Sequence, residues 1–255
     1  MDSFVLKELE KFKDLKFDEE SHSYTVNGIS LVSVTKLVST TTFFDKEKAA
    51  ARKAESLNVP VRDILLMWDK KGEYARTMGH EMHSFIENLW QGKKYNWKYS
   101  DKFIEMFLEL DLLVEQYMPF YKAASKLMTL IAAENFVYDR DYKVAGTFDG
   151  LFYNRLNNCV DIWDWKTSAK IEKENHFGKK LIGLDHLDEC NFNEYALQLS
   201  LYKYIIEKNT DIKIKHLNIC QVSHQNKSYN AFRLPYLRDE VIYLLRNNIK
   251  NNLHK

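Results

Sequence analysis

The chain has 255 residues, with 37 Lys and Arg against 36 Asp and Glu. That length can bury one sizeable core, and the near-neutral balance excludes a generally basic nucleic-acid coat, leaving only local basic patches. Cys159, Cys190 and Cys220 are widely spaced and form no C-x-x-C pair, which fits reduced thiols and is too few for a four-cysteine iron–sulfur or zinc cluster. No apolar run approaches the ~20 residues of a membrane span, and the partly acidic N-terminus reads against a signal or transit peptide. A soluble, cytoplasmic protein without a membrane partner is expected.

In chain order, His22 to Thr35 read as a β-hairpin turning at Asn27-Gly28. Asp45 can cap a helix from Lys46 to about Leu57. Apolar residues at helical spacing predict further helices over Val61 to Lys71, about Tyr74 to Trp90, and Ser100 to Lys126. Strands then dominate: Met128 to Tyr138, a hairpin of Lys143 to Tyr153 with a strand opening at Cys159, and later His216 to Ser223 and Ser228 to Leu234. A helix over Asn193 to Lys208 lies between them, and another begins at Arg238. With no repeat or low-complexity linker, one domain over 1–255 is expected: an N-terminal hairpin and helical part to residue 127, a core over 128–208, and C-terminal strands and a helix over 209–255. This order predicts an α/β (α+β) fold, a central mixed sheet flanked by helices.

The segment richest in chemistry is Gly146-Thr-Phe-Asp149, followed across the turn Asn154-Arg-Leu-Asn-Asn158 by Val160-Asp-Ile-Trp-Asp164-Trp-Lys166. Strand alternation sends Val160, Ile162, Asp164 and Lys166 to one side. That side starts apolar and ends charged, which costs desolvation unless the charges pair or bind an ion. An Asp164–Lys166 ion pair closing an ordinary strand would account for the bare D-x-K tripeptide. The longer pattern, G-x-x-D and then apolar-x-apolar-x-D-x-K-T, is more specific. Asp149 and Asp164 offer hard oxygen ligands for Mg²⁺ or Mn²⁺, and Lys166 can position water or stabilise a pentavalent phosphorus, the needs of a metal-dependent phosphodiesterase.

Further groups bear on this site. His80 and His83 are three apart, so the zinc-protease spacing of i and i+4 fails. A lone helical His is usually packed or solvated, but His83 could add an imidazole ligand, with Glu87 on the same helix face orienting it. Glu134, in an apolar strand, is either an edge charge or, if that strand borders the hairpin, a third carboxylate of the site. Gln198 and Tyr202 share a helical face, as part of an amphipathic helix covering the core or as a polar pair holding phosphate or Lys166. Two basic segments could meet a nucleic-acid backbone, although such faces are commonly only solvated: Lys46, Lys48, Arg52 and Lys53 with Arg62 and Arg76, and Lys170, Lys173, Lys179 and Lys180. The hydroxyls of Thr167 and Ser168 directly after Lys166 could bond a phosphate.

Taken jointly, these motifs resemble the PD-(D/E)XK nuclease superfamily in its RecB-like and phage-exonuclease branch, similar to lambda exonuclease and the mitochondrial genome maintenance exonucleases. The resemblance rests on G-x-x-x-H-x-x-I-E at Gly79 to Glu87, Glu134, G-x-x-D at Gly146 to Asp149, D-x-K at Asp164 to Lys166 and Q-x-x-x-Y at Gln198 to Tyr202, and covers about residues 20 to 205. It implies a restriction-endonuclease-like sheet and a Mg²⁺- or Mn²⁺-dependent DNA exonuclease acting in recombination, repair, replication or phage DNA processing, in a bacterial or virus-infected cell. It implies His83, Asp149, Asp164 and the Trp165 carbonyl as metal ligands, Lys166 as catalytic lysine, a supporting place for Glu134, and a substrate or structural role for Gln198 and Tyr202. Some relatives carry a four-cysteine iron–sulfur cluster that this sequence lacks, and helicase motifs are absent, so a separate helicase or single-strand annealing or binding protein is the expected partner beside DNA ends. The alternatives are a structure-specific or restriction-like endonuclease and a catalytically inactive nucleic-acid-binding protein with the same fold.

Overall fold

The computed structural model describes residues 2–98 and 106–253. Strand β5 (Val144–Asn154) is the axis of an eight-stranded mixed sheet. Along one side β4 (Met128–Asp139) pairs with it antiparallel over nearly its whole length. On the other side two different strands share it. β6 (Cys159–Lys166) pairs antiparallel with Gly150 to Asn154, whereas β3 (Ile29–Ser33) pairs parallel with Val144 and Ala145. Among the described residues, Gly146-Thr147-Phe148-Asp149 has no ladder partner on that side, so the sheet forks there. Beyond β3 lie β2 (Ser23–Val26) and β1 (Leu15–Asp18). Beyond β6 lie β9 (Ile214–Gln221), parallel to it, and β10 (Asn230–Leu234).

Helices cover both faces, each because it has apolar residues to bury. On one face β6 turns Val160 and Ile162 into a core shared with α1 (Asp2–Leu9), α2 (Val34–Ser39), α6 (Asn191–Asn209) and α7 (Arg238–Leu253). On the other, Trp163 and Trp165 meet α4 (Val61–Trp90) and α5 (Met106–Ala124). Trp163 and Trp165 stack on one another, and Phe120 of α5 reaches both rings. The alternation expected of the D-x-K strand is therefore realised, with its carboxylate and ammonium on the α6 side.

Several expected elements match closely. The hairpin at Asn27-Gly28 forms, and Asp45 caps α3 (Lys46–Leu57) by accepting from the Lys48 amide. Two differences are informative. The expected helices over Val61 to Lys71 and Tyr74 to Trp90 are one continuous helix, α4. A lone helical glycine such as Gly72 costs only about 1 kcal/mol, too little to end a helix whose hydrogen bonds continue on both sides. The expected start of α5 at Ser100 lies outside the described residues. The short α1, β1 and α2, and the small hairpin of β7 (Lys180–Leu181) and β8 (Leu184–Asp188), have no counterpart in the sequence reading. Elements this short carry too few periods to be told from loops.

Candidate metal centre at the sheet fork

The fork explains why the G-x-x-D and D-x-K motifs meet. Strand pairing between β5 and β6 ends at Gly150 and Trp163, leaving the Trp165 N–H without a strand acceptor on that side. The Asp149 carboxylate takes its place, accepting from Trp165 N at 2.8 Å. Gly146 lets Tyr202 of α6 and Val34 of α2 close on β5 beside the fork. A Cβ there would lie 2.8 Å from Tyr202 Cε1 and 3.2 Å from Val34 Cβ, closer than packed carbons come. On the β4 side, Glu134 sits opposite Asp149 with φ of 46°, in the left-handed region that a non-glycine residue rarely adopts. Such a backbone costs of order 1 kcal/mol, and strain of this kind gathers at functional sites.

α4 delivers His83 into the fork. Its Nε2–H donates to the Trp165 carbonyl at 2.8 Å, while Nδ1 lies 3.3 Å from Asp149 Oδ2 and 3.9 Å from Glu134 Oε1. Ligand atoms of His83, Glu134 and Asp149 all fall within 4.8 Å of one another. Both imidazole nitrogens are thus engaged from the sheet. Glu87, expected to orient His83, instead accepts from the Gln91 amide at 3.0 Å. The imidazole is held by the Trp165 carbonyl, and that carbonyl, expected among the ligands, is here its hydrogen-bond acceptor.

Asp164 and Lys166 complete the centre from β6. Lys166 Nζ is 2.6 Å from Asp164 Oδ2, a close ion pair buried between β6 and α6. The ammonium also donates to Gln198 Oε1 at 3.4 Å and sits 4.5 Å over the Tyr195 ring. Gln198 Nε2 in turn donates to Tyr202 Oη at 3.4 Å. Tyr202 is only 3% exposed, so its place is behind Gln198 and against Gly146, not at a surface.

The electrostatics follow from burial and crowding of like charge. Burial, and then Asp149 beside it, pushes the Asp164 carboxyl up to about 6 against the pull of Lys166. Burial likewise raises Asp149, with Glu134 adding to the rise and His83 and Lys166 opposing it. Burial alone would lower His83, but Asp149 and Glu134 outweigh it and hold the imidazolium up to about 9. Lys166 is treated the same way, with Asp164 and Asp149 overcoming its burial, so it stays an ammonium. Protons therefore occupy a place where clustered carboxylates demand positive charge.

This donor set fits a divalent cation. Two carboxylates and one imidazole suit Mn²⁺ or Mg²⁺, and Asp164, whose charge acts on both Asp149 and His83, adds to the negative charge beside them. A cleft of about 840 Å³ opens next to His83 and Glu134, lined also by Arg76, His80, Ser84 and His22. Arg76, an expected nucleic-acid contact, is exposed in it. Thr167 lies against α4, its Oγ1 3.5 Å from where a Gly79 Cβ would stand, while the Ser168 hydroxyl is buried without a partner among the described residues. The second basic segment is largely neutralised, because Lys170, Lys179 and Lys180 pair with Glu172, Glu189 and Asp188. Lys46 in the first segment pairs with Asp69. Tyr195 was missed by the sequence reading, although it stands one helical turn before Gln198 and so shares its face.

Compared with known proteins, the sequence matches no family model and no curated protein. Among solved structures it is similar to the one described as the crystal structure of SSO0001, at 14% identity and a TM-score of 0.35, over 97% of this chain and 84% of that one. A likeness that weak carries no argument about function.

Proposed function

We propose that the chain is a metal-dependent nuclease that hydrolyses DNA phosphodiester bonds from linear ends. The observation that supports this most is the convergence of His83, Glu134 and Asp149 within 4.8 Å, with the Asp164–Lys166 pair beside them and a cleft alongside. His83, Glu134 and Asp149 would hold the cation, with Asp164 adding charge to the same cluster. When bound, the cation supplies activation of water and neutralisation of phosphate charge.

The protein's own groups set the rest. Lys166 remains charged, so its role is to donate to a phosphate oxygen or to the attacking water and not to accept a proton. Asp164, Gln198 and the Tyr195 ring fix where that ammonium points. Trp165 holds His83 through its carbonyl and Asp149 through its N–H, so the backbone of one residue sets two members of the cluster. Arg76 in the cleft is placed to meet phosphate.

End-labelled linear single- and double-stranded DNA, incubated with Mn²⁺ or with chelator and resolved by product length, tests the reading. Mono- or short oligonucleotides released from ends only with the metal are expected, with closed circular DNA spared. Cutting of the closed circle would make it an endonuclease. A gel shift of intact linear DNA without any cleavage would leave only binding.

A further inference from the structure

β6 carries a second group of metal-ligating side chains, at the hairpin turn and on the sheet face opposite Asp164. Cys159 and Asp161 are two apart and share that face, and His216 of β9 lies directly across from Asp161 in the parallel ladder. Their ligand atoms fall within 4.8 Å of one another. Cys159 Sγ is 3.5 Å and His216 Nδ1 is 2.8 Å from the same oxygen, Asp161 Oδ1. We propose that Cys159, Asp161 and His216 form a binding site for a borderline-soft divalent cation of the zinc class, separate from the carboxylate-rich centre at the fork.

Three features carry this. The first is ligand chemistry: a thiolate, an imidazole and a carboxylate select zinc over the magnesium class, whereas the fork offers carboxylates and one imidazole. The second is spacing. Ligand atoms on a tetrahedral zinc stand about 3.4–3.6 Å apart. The Cys159–Asp161 distance of 3.5 Å already fits, and the His216–Asp161 distance of 2.8 Å has to open by about 0.6 Å as an N–H···O bond gives way to two metal bonds. The third is support around the carboxylate. Asn154 Nδ2 donates to Asp161 Oδ2 at 3.0 Å and His216 N donates to Oδ1 at 3.1 Å, so two donors that a cation does not displace keep Asp161 aimed.

Ligation exchanges the Cys159 thiol proton, lost to solvent, for the cation, and moves the His216 proton from Nδ1 to Nε2. The Asn154 side-chain oxygen is occupied by the Leu156 and Asn157 amides of the turn, which leaves the fourth position to water. Access exists, because Cys159 and His216 are only half-buried. Cys190 and Cys220 are buried, so a thiolate ligand in the folded chain identifies Cys159.

Titration of the full chain with Co²⁺, followed by absorption, tests the site. One equivalent is expected to raise a thiolate-to-cobalt charge-transfer band in the near ultraviolet. Zn²⁺ should abolish the band and a large excess of Mg²⁺ should not. The band should persist in a His83→Gln, Asp149→Asn variant, which removes two of the three fork ligands, and disappear in Cys159→Ser. His216→Gln, read beside it with circular dichroism to confirm folding, should weaken Co²⁺ binding at least about tenfold. No band at one equivalent, a band that survives Cys159→Ser, or unchanged affinity in folded His216→Gln would each overturn the proposal.

Discussion

β6 buries two aspartates, Asp161 at 2% and Asp164 at 1% exposure, and surrounds them oppositely. Asp161 accepts from the Asn154 amide, the His216 backbone and ring, and the Cys159 thiol, so both its oxygens are supplied. Asp164 has only an ammonium beside it and a second carboxylate nearby, and its carboxyl is pushed up by burial. A buried acid with every acceptor met ties strands together, and a cation there is optional. A buried acid left among like charges is poised to use a cation.

The largest effect expected from this contrast is in activity. On the proposed nuclease reading, Asp164→Asn or Lys166→Ala should cut metal-dependent DNA cleavage by about 10³-fold or more, because the first removes negative charge that favours the cation and the second removes positive charge offered to the phosphate. Unfolding should be little changed in Asp164→Asn, within about 1 kcal/mol, since an amide oxygen still faces Lys166. Asp161→Asn should do the reverse, lowering stability by about 2 kcal/mol while leaving the cleavage rate of the folded protein intact, because an amide cannot accept from all four donors. Equal losses of activity in both variants, measured on folded protein, would erase the distinction.

Gly146→Ala probes how the fork is kept open. Its Cβ would stand 2.8 Å from the Tyr202 ring, and overpacking of that kind costs roughly 1–3 kcal/mol. Tyr202 supports Gln198, which accepts from Lys166, so cleavage should fall alongside the melting temperature. A stable and fully active alanine variant would show that the glycine serves no close approach.

The pH dependence separates the fork from the rest of the fold. Asp164 and His83 hold protons more tightly folded than unfolded, with values raised to about 6 and about 9. Stability from Asp164 is therefore complete below its unfolded value near 3.8 and is lost as pH rises to about 6. That from His83 is complete below 6.5 and is lost as pH rises through about 9. Both act in the same direction in metal-free protein. A cation competes with these protons, so the rise in melting temperature on adding Mg²⁺ should grow between pH 6 and 8.5, by on the order of 1–2 kcal/mol of stabilisation. A gain that shrinks with pH would place the cation elsewhere.

Much of the site was legible because its motifs are periodic. G-x-x-D and D-x-K each sit on a strand, alternation alone put Asp164 and Lys166 on one side, and their two strands are neighbours in sequence. His83 was legible as a possible ligand, since the helix that carries it could be read from its apolar spacing. What could not be read was the fork. It depends on β3, a strand from the first part of the chain, taking the edge of β5 where β6 leaves it. The left-handed backbone at Glu134 was likewise invisible, because nothing in its residue type favours that conformation. The expected role of Glu87 failed for a related reason: sharing a helix face with His83 does not matter when the sheet already occupies both ring nitrogens.

The smallest effect is expected at Tyr195, and it refines how Asp164 and Lys166 work as a pair. Asp164 holds the ammonium by charge at 2.6 Å, but an ion pair alone leaves the direction of the N–H bonds loose. The Tyr195 ring, 4.5 Å beneath the ammonium, closes one side by attraction to its π face. Such contacts are worth about 0.5–2 kcal/mol. Tyr195→Phe keeps the face and should cleave DNA at close to the normal rate. Tyr195→Leu keeps the bulk, loses the face, and should slow the metal-saturated rate by roughly three- to tenfold with little change in substrate affinity. Were leucine and phenylalanine to behave alike in single-turnover cleavage, the ring would be packing only, and aiming Lys166 would fall to Asp164 and Gln198.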